Sequence, residues 1–333
     1  MLRVSYRELY DVLLQALLGT GLEPERAALC AQLFADTSRD GVYSHGLNRF
    51  PRFMQMIRRG IIDVHARAVC VASHGAIERW DGQRGPGNLN AYRCMERAIE
   101  LSREYGVGSI ALKNTNHWMR GGSYGWQAAE AGAIGICWTN TMPNLPPWGA
   151  SDPRLGNNPL VIAAPRPQGR HVVLDMAMSQ FSYGALASYR MRGEQLPVVG
   201  GFDLDGQLTR DPSAIEDSAR PLPIGFWKGS GLALMLDMMA ALLSGGHATH
   251  QVTANPDDET GLSQLFLAFN LSAFGETDLA ARVADRIIED LQRASTEGES
   301  VRYPGERTLE TRQRNLEEGI PVEPSIWQEV RRL

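Results

Sequence analysis

The segment GSIALKNTNHWMRGGSYGWQAAEAGAIGICWT, residues 108–139, sets the fold class. It opens with a short apolar run, residues 108–113, and closes with another, residues 134–139, and each is typical of a buried strand. Residues 123–131, between the two runs, have the composition of a helix. A strand, a helix and a strand in succession predict an α/β domain.

The same alternation continues on both sides of this segment. Further strands are predicted at residues 77–80, 160–164 and 171–176, and further helices at residues 90–104 and 232–243. Both ends of the chain read as helical, and residues 5–8 form a capping box before the first helix. We therefore expect a helical domain of residues 1–70 and 280–333, beside an α/β domain of residues 71–279.

Composition excludes several functional classes. The chain has 333 residues and a formal net charge of −5, and it has no run of basic residues that would neutralise a nucleic-acid backbone. No apolar window reaches the roughly 18 residues of a membrane span. The N-terminus carries charges where a signal peptide needs an apolar run, and the four cysteines form no C-x-x-C pair. These features predict a cytoplasmic protein with reduced thiols.

The first candidate for chemistry is the segment around Ser44-His45-Gly46. Arg49 and Arg52 follow His45 by four and seven residues, a spacing that predicts one shared helical face. A histidine passes protons and a guanidinium grips a carboxylate, so the set is suited to a keto acid. The alternative is a capping histidine beside two solvated arginines.

The second candidate lies in the quoted segment, where a strand gives way to a helix. His117 stands there among Asn114 and Asn116, at the carboxyl end of the strand, where α/β proteins bind ligands. The alternative is a turn that satisfies the histidine locally.

The third candidate is residues 226–231, which run directly into the apolar helix. Lys228 and small residues at a helix start suit a phosphate group, and Trp227 offers a ring for stacking. Lys113 and Lys228 are the only lysines of the chain, so each position is noteworthy. The alternative is a glycine-rich helix start with an exposed lysine.

Other motifs are weaker. Residues 106–111 match G-x-G-x-x-A but follow a helix and enter a strand, the reverse of the dinucleotide-binding order. Residues 121–125 match the G-x-S-x-G nucleophile elbow, although Ser123 reads more simply as a helix cap. The histidine spacings match no zinc motif, so no metal is predicted. A nucleotide cofactor would thus need a fold other than Rossmann.

Taken together, the chain resembles the malate/L-lactate dehydrogenase family that is unrelated to the Rossmann lactate dehydrogenases. The resemblance spans the whole chain and rests on residues 44–46, 116–117, 156–159, 174–177 and 223–229. Longer strings at residues 41–46, 48–53, 116–130 and 146–149 are most similar to the branch that reduces 2,3-diketo-L-gulonate.

This resemblance implies a fold, an activity and a set of site residues. The fold is α/β, with a central mixed-sheet, non-Rossmann nicotinamide-binding domain framed by helices from both termini, in a homodimer. The activity is NAD(P)H-dependent reduction of a 2-keto acid, 2,3-diketo-L-gulonate to 3-keto-L-gulonate, with His45 as proton donor. We add Arg49 and His117 as substrate contacts. The implied cofactor contacts are His171, Val172, Val173, Leu174, Asp175, Met176, Ala177, Trp227, Lys228, Gly305, Glu306 and Arg307.

Some alternatives stay open at this point. Asn157 stands where the family usually has threonine, and Gly305-Glu306-Arg307 stands where close relatives have Gly-His-Glu. The few basic residues near residues 171–177 favour NADH, with NADPH as the alternative. A sibling dehydrogenase for malate, lactate or ureidoglycolate is one rival. A cofactor-free isomerase or lyase that uses His45 and His117 is another.

Overall fold

The computed structural model describes residues 2–275, 277–296 and 300–333. The strands are β1 (Arg3–Val4), β2 (Val69–His74), β3 (Ile77–Asp81), β4 (Val107–Asn116), β5 (Ala133–Thr139), β6 (Leu160–Ala164), β7 (Val172–Met176), β8 (Gly201–Phe202), β9 (Leu208–Thr209), β10 (Thr260–Asn270) and β11 (Ile320–Pro321). The helices are α1 (Tyr6–Leu18), α2 (Pro24–Arg39), α3 (Phe50–Arg58), α4 (Gly87–Tyr105), α5 (Gly122–Glu130), α6 (Tyr183–Arg192), α7 (Pro212–Ser218), α8 (Trp227–Ser244), α9 (Thr277–Gln292), α10 (Glu306–Glu318) and α11 (Pro324–Val330).

A seven-stranded mixed sheet forms the centre, in the order β2-β3-β4-β10-β5-β6-β7. Strands β3 and β4 are parallel, joined through α4, and every other neighbouring pair is antiparallel. The predicted α/β class with a central mixed sheet is therefore confirmed. Because of these directions, β3, β4, β5 and β7 all end at one edge of the sheet, where β10 begins. We call this edge the carboxyl edge.

The quoted segment becomes β4, α5 and β5, but its two strands are not neighbours. Strand β10 lies between them, and Phe266 is paired with Ile110 on one side and Cys137 on the other. Strand β10 was not predicted because its buried polar residues, Ser263 and Gln264, break the apolar run expected of a central strand. Strand β2, an edge strand whose residues are all exposed, and helices α6 and α10 were not predicted either.

Side chains of the sheet alternate between two apolar layers. Ile110 and Phe266 pack with residues of α4 and α5 on one face, and Ala111 and Leu265 pack with residues of α8 on the other. This alternation is the period of two that a strand imposes, and it covers both faces of the sheet. Within the described ranges, no helix is long and apolar enough to cross a membrane.

Residues from both termini share a separate core. Phe34, Phe50 and Phe53 of the N-terminal helices are buried together with Ile320 and Trp327. The short strands β1 and β11 pair beside this core. The domain boundaries at residues 70 and 280 stay a prediction.

Residues 197–223 form short elements of secondary structure. They contain β8, β9 and α7 and pack on a small core of Leu186, Leu196 and Ile215.

Candidate active site

The carboxyl edge gathers the polar segments singled out in the sequence. His117 directly follows β4, whose last residue Asn116 faces Thr260 at the start of β10. Asp175 lies next to the end of β7 at the same edge. Ligand sites at the carboxyl ends of strands are the rule in α/β proteins, so this edge is the place to examine.

The ring of His117 is fixed by a backbone contact. Its Nδ1 accepts a hydrogen bond from the Met119 N–H at 3.0 Å, and Met119 adopts a left-handed φ of 65° to make it. A neutral ring in this arrangement carries its proton on Nε2, which is left to donate. Burial, then the positive charge of Arg49, and then the neighbouring His45 and Arg52 hold the pKa of His117 well below its ordinary value. His117 is therefore a neutral donor at pH 7.

His45 is positioned by a tight turn. It ends a 3-10 turn, Tyr43–His45, and the next residue, Gly46, lies against Ser38 of α2. A Cβ on Gly46 would lie 2.2 Å from the Ser38 Oγ, so only glycine fits there. The same Oγ accepts a hydrogen bond from the Leu47 N–H at 2.8 Å and closes the turn.

The predicted single helical face for the histidine and the two arginines is wrong. Leu47–Arg49 is a second 3-10 turn, separated from the first by the non-helical ψ of −124° at Gly46. Helix α3 begins only at Phe50. His45 and Arg49 are brought together by two successive turns, which the close packing of Gly46 on Ser38 requires.

The two histidine rings face each other across the site. Their centroids are 5.8 Å apart and the ring planes are inclined by 27°. The Nδ1 of His45 is 2.9 Å from the Ser44 hydroxyl oxygen. Burial, and then the charges of Arg49 and Arg120, lower the pKa of His45 to about 4. Without an anion in the site, both rings are neutral at pH 7.

Two arginines supply positive charge to this pair, and two acids hold them. An oxygen of Glu259 is 3.7 Å from an Nη of Arg49, and an oxygen of Asp257 is 3.3 Å from the Nε of Arg52. Glu259 was not among the residues singled out from the sequence, although it is only 4% exposed. The signal that could have found it is the acidic run at residues 257–259, directly before a strand.

A buried ion cluster holds the loop after His117 to the helices. Asp40 accepts from Arg120 at 2.7 Å and from Arg312 of α10 at 2.8 Å, and it also pairs with Arg39. The hydrogen bonds from Arg312 and the charges of Arg120 and Arg39 outweigh burial and lower the pKa of Asp40 to about 2. The cluster thus fixes Arg120, whose charge acts on His45.

Asp175 joins the β7 segment to the same loop. Its Oδ2 accepts a hydrogen bond from the Gly122 N–H at 2.8 Å, and a Cβ on Gly122 would lie 2.7 Å from that oxygen. Desolvation by the surrounding protein raises the pKa of Asp175, while Arg120 and the Gly122 N–H act to lower it. Part of the residue's surface is nevertheless accessible to solvent. The predicted cap at Ser123 is wrong, because α5 begins at Gly122 with Gly121 before it.

The predicted cofactor segments 171–177 and 305–307 lie in contact. Gly305, with a φ of +99°, packs on the backbone of His171 and Val173, where a Cβ would lie 3.1 Å from the Val173 nitrogen. His171 is buried and its Nδ1 accepts from the Arg166 N–H. Glu306 accepts from Gln292, and Arg307 is exposed.

Trp227 and Lys228 open α8 beside the end of β7. The Ile224 N–H donates to the Met178 carbonyl at 2.8 Å, which carries the chain from β7 to this helix start. Trp227 is 66% exposed and Lys228 is exposed as well. The three predicted cofactor segments therefore lie side by side along β7, with residues 305–307 near its start and residues 227–228 beside its end. Asp175 of β7 connects them to the loop of His117 through its hydrogen bond with Gly122.

Comparison with known protein families identifies the family of this chain. A family model described as malate/L-lactate dehydrogenase matches residues 4–331. The chain belongs to this family. The family resemblance inferred from the sequence is confirmed.

Curated relatives and solved structures agree with this assignment. The 2,3-diketo-L-gulonate reductase of Citrobacter koseri is 46% identical over 334 residues, which cover all of both chains. The sulfolactate dehydrogenase of Methanocaldococcus jannaschii superposes with a TM-score of 0.91 at 28% identity, over 99% of this chain and 95% of the other. The delta1-piperideine-2-carboxylate reductase of Pseudomonas syringae pvar. tomato gives a TM-score of 0.88 at 29% identity, over 100% and 99%.

The family membership defines the reaction class. This malate/L-lactate dehydrogenase family member is an oxidoreductase and uses a nicotinamide cofactor. The predicted oxidoreductase class is therefore confirmed over the cofactor-free isomerase or lyase.

Proposed function

We propose that the protein reduces the 2-keto group of 2,3-diketo-L-gulonate to give 3-keto-L-gulonate, with NADH as the reductant. The observation that carries the proposal is the stacked pair of His45 and His117 beside Arg49 at the carboxyl edge. The full-length similarity to reductases of that name supports the choice of substrate.

We assign Arg49 and His117 as the residues that contact the substrate. A guanidinium binds a carboxylate through two parallel hydrogen bonds, and Arg49 is held close to the histidine pair by Glu259. The Nε2–H of His117 donates to a substrate oxygen because its Nδ1 is already committed to Met119. The two contacts orient the keto group beside the ring of His45.

His45 is the proton donor in this proposal. When the keto carbon is reduced, negative charge grows on its oxygen, and a proton from the His45 ring neutralises that charge as it forms. A carboxylate bound at Arg49 offsets the positive field that lowers the pKa of His45. Substrate binding therefore raises the pKa of His45 and favours the protonated ring, which then donates its proton.

The chain has suitable groups for a nicotinamide cofactor beside this site. The cofactor supplies a hydride when bound. The exposed ring of Trp227 offers a stacking surface, Lys228 offers a charge for the diphosphate, and Asp175 offers an acceptor for ribose hydroxyls. The glycines at positions 122 and 305 let the neighbouring segments pack closely on Asp175 and on β7, where a Cβ would clash. An acceptor at Asp175, where a 2′-phosphate would be repelled, favours NADH.

The pH dependence of the reaction follows from the pKa of His45. Reduction needs the protonated ring, and the pKa of about 4 in the free enzyme leaves that form scarce at neutral pH. We expect kcat/KM for reduction to fall about tenfold per pH unit from pH 6 to pH 8. For oxidation of the hydroxy acid, which needs the neutral ring, we expect a flat profile. Steady-state rates in both directions measure this, and equal profiles would contradict the assignment.

Product analysis tests the proposed reaction. We expect one NADH to be consumed for each 2,3-diketo-L-gulonate, and the product to have gained two hydrogens and to match 3-keto-L-gulonate by mass and chromatography. Substrate consumption without NADH oxidation, or a product of unchanged mass, would refute the proposal.

We also propose that the protein is a homodimer that acts in the cytoplasm. One side of α8 carries exposed apolar residues, including Leu234, Met238 and Leu242, which is 71% exposed. An apolar helix face of this size in an otherwise ordinary globular protein favours burial against a second copy. Buried free thiols at Cys30, Cys94 and Cys137 suit a reducing compartment.

The dimer has a simple test. Leu242→Glu would place a charge in the interface, so we expect a shift toward monomer in size-exclusion chromatography with light scattering. The matched control is Leu204→Glu, at a leucine that is 69% exposed next to the β8–β9 turn. A wild-type monomer, or equal behaviour of the two variants, would contradict the proposal.

A further inference from the structure

A polar cavity of about 260 Å³ lies at the carboxyl edge, outside the contacts described so far. It sits where the parallel strands β3 and β4 end, and the turn after α8 closes it. Its lining is Asp81, Lys113, Asn114, Gly245, Gly246, His247 and Gly261. We call it the Lys113 cavity.

Lys113 is an uncommitted charge in this cavity. It is half-buried, and within the described ranges no carboxylate is close enough to form an ion pair with it. A Cβ on Gly246 would lie 2.6 Å from the Cβ of Lys113, so glycine is needed for the turn to pack against the lysine stem. The ammonium group is thus held at the cavity with its hydrogen-bond donors free.

Asp81 and Asn114 provide the opposite wall. The Oδ1 of Asp81 accepts from the Asn114 side-chain amide at 2.9 Å and from the Gln83 N–H at 2.8 Å. Asn114 holds a left-handed φ of 53°, a strained conformation that clusters at functional sites. One positive and one negative side chain leave the cavity balanced in charge. A neutral ligand rich in hydroxyl groups fits this balance better than a second anion.

Two residues that line the cavity are close along the chain to residues of the active site. Asn114 precedes His117 by three residues, which can span at most about 11 Å. Gly261 follows Glu259, the partner of Arg49, by two residues, which can span at most about 7 Å. An extended sugar acid whose carboxylate end lies at Arg49 therefore has the reach to place its other end in the Lys113 cavity.

We propose that the Lys113 cavity is the subsite for the hydroxylated end of the substrate, an inference that rests on the proposed function. Lys113 donates to the distal hydroxyls and Asp81 accepts from them. The cavity then selects polyhydroxylated 2-keto acids over short ones such as pyruvate, which cannot reach it.

The test compares substrates of different length in Lys113→Met. Loss of a hydrogen bond to a charged group predicts that kcat/KM for 2,3-diketo-L-gulonate, relative to that for pyruvate, falls about 10- to 100-fold. Lys113→Arg should restore most of this ratio. Arg103→Met, an exposed cation near the end of α4, is the control and should keep the wild-type ratio. A wild-type ratio in Lys113→Met would overturn the subsite.

Inhibition of pyruvate reduction by L-gulonate separates this inference from the proposed function. If the wild type does not reduce 2,3-diketo-L-gulonate, the proposed function fails. Inhibition by L-gulonate then tests the subsite independently of that function. The subsite predicts that Lys113→Met weakens this inhibition about tenfold or more. Absence of inhibition in the wild type, or equal inhibition in the variant, would overturn it.

Discussion

His45→Ala should lower kcat for keto-acid reduction by about 100- to 10,000-fold, the range that general acid catalysis contributes. The variant removes the ring that we assign to proton donation, while the surfaces around Asp175 and Trp227 stay in place. The dissociation constant for NADH, measured by quenching of protein fluorescence, should therefore stay at the wild-type value. Steady-state rates of NADH oxidation measure the loss.

The same variant should also lose the pH dependence of reduction. The wild-type fall in kcat/KM above the pKa of His45 has no source once the ring is gone. His74→Ala is the matched control, because His74 is exposed on the edge strand β2. If His45→Ala keeps most of its activity, or if His74→Ala loses as much, His45 is not the proton donor.

Asp40→Asn should destabilise the fold by about 3–5 kcal/mol, because removal of one partner leaves buried charge uncompensated. Asp40 is 4% exposed, and the side chain of Arg120 is nearly as buried. Urea denaturation followed by circular dichroism measures the free energy of unfolding. Asp11→Asn breaks the exposed pair with Arg7 and is the control, with an expected cost of about 1 kcal/mol or less. Equal costs for the two variants would refute the role of the cluster.

The pH dependence of this effect has a definite sign. The pKa of Asp40 is lowered from 3.8 to about 2 in the folded protein, so its charge stabilises the fold above the higher value. That contribution is lost as pH falls from about 4 toward 2. The stability difference between wild type and Asp40→Asn should therefore narrow in this window, and a constant difference would contradict the assignment.

The sequence predicted the fold class because the strands of the quoted segment have apolar residues on both faces. It did not predict that β10 separates them, since Ser263 and Gln264 are buried through contacts far along the chain. The pairing of β10 with β4 and β5 depends on tertiary contacts, which no local sequence pattern encodes.

The site shows the same division. Residue types and spacing pointed to His45, Arg49 and His117, and the structure places the two rings face to face. The spacing did not predict the backbone conformation that brings these residues together. Gly46 packs on Ser38 and divides the expected helix into two turns. Glu259 escaped notice because only the folded chain brings it to Arg49 from more than 200 residues away.

The decisive experiment is a comparison of NADH oxidation with 2,3-diketo-L-gulonate, pyruvate, oxaloacetate and 2-ketobutyrate, followed by absorbance. We predict that kcat/KM is highest for 2,3-diketo-L-gulonate, and higher with NADH than with NADPH. If another keto acid is preferred, the enzyme is a sibling dehydrogenase of the family. If none of them drives NADH oxidation, the proposed function is wrong.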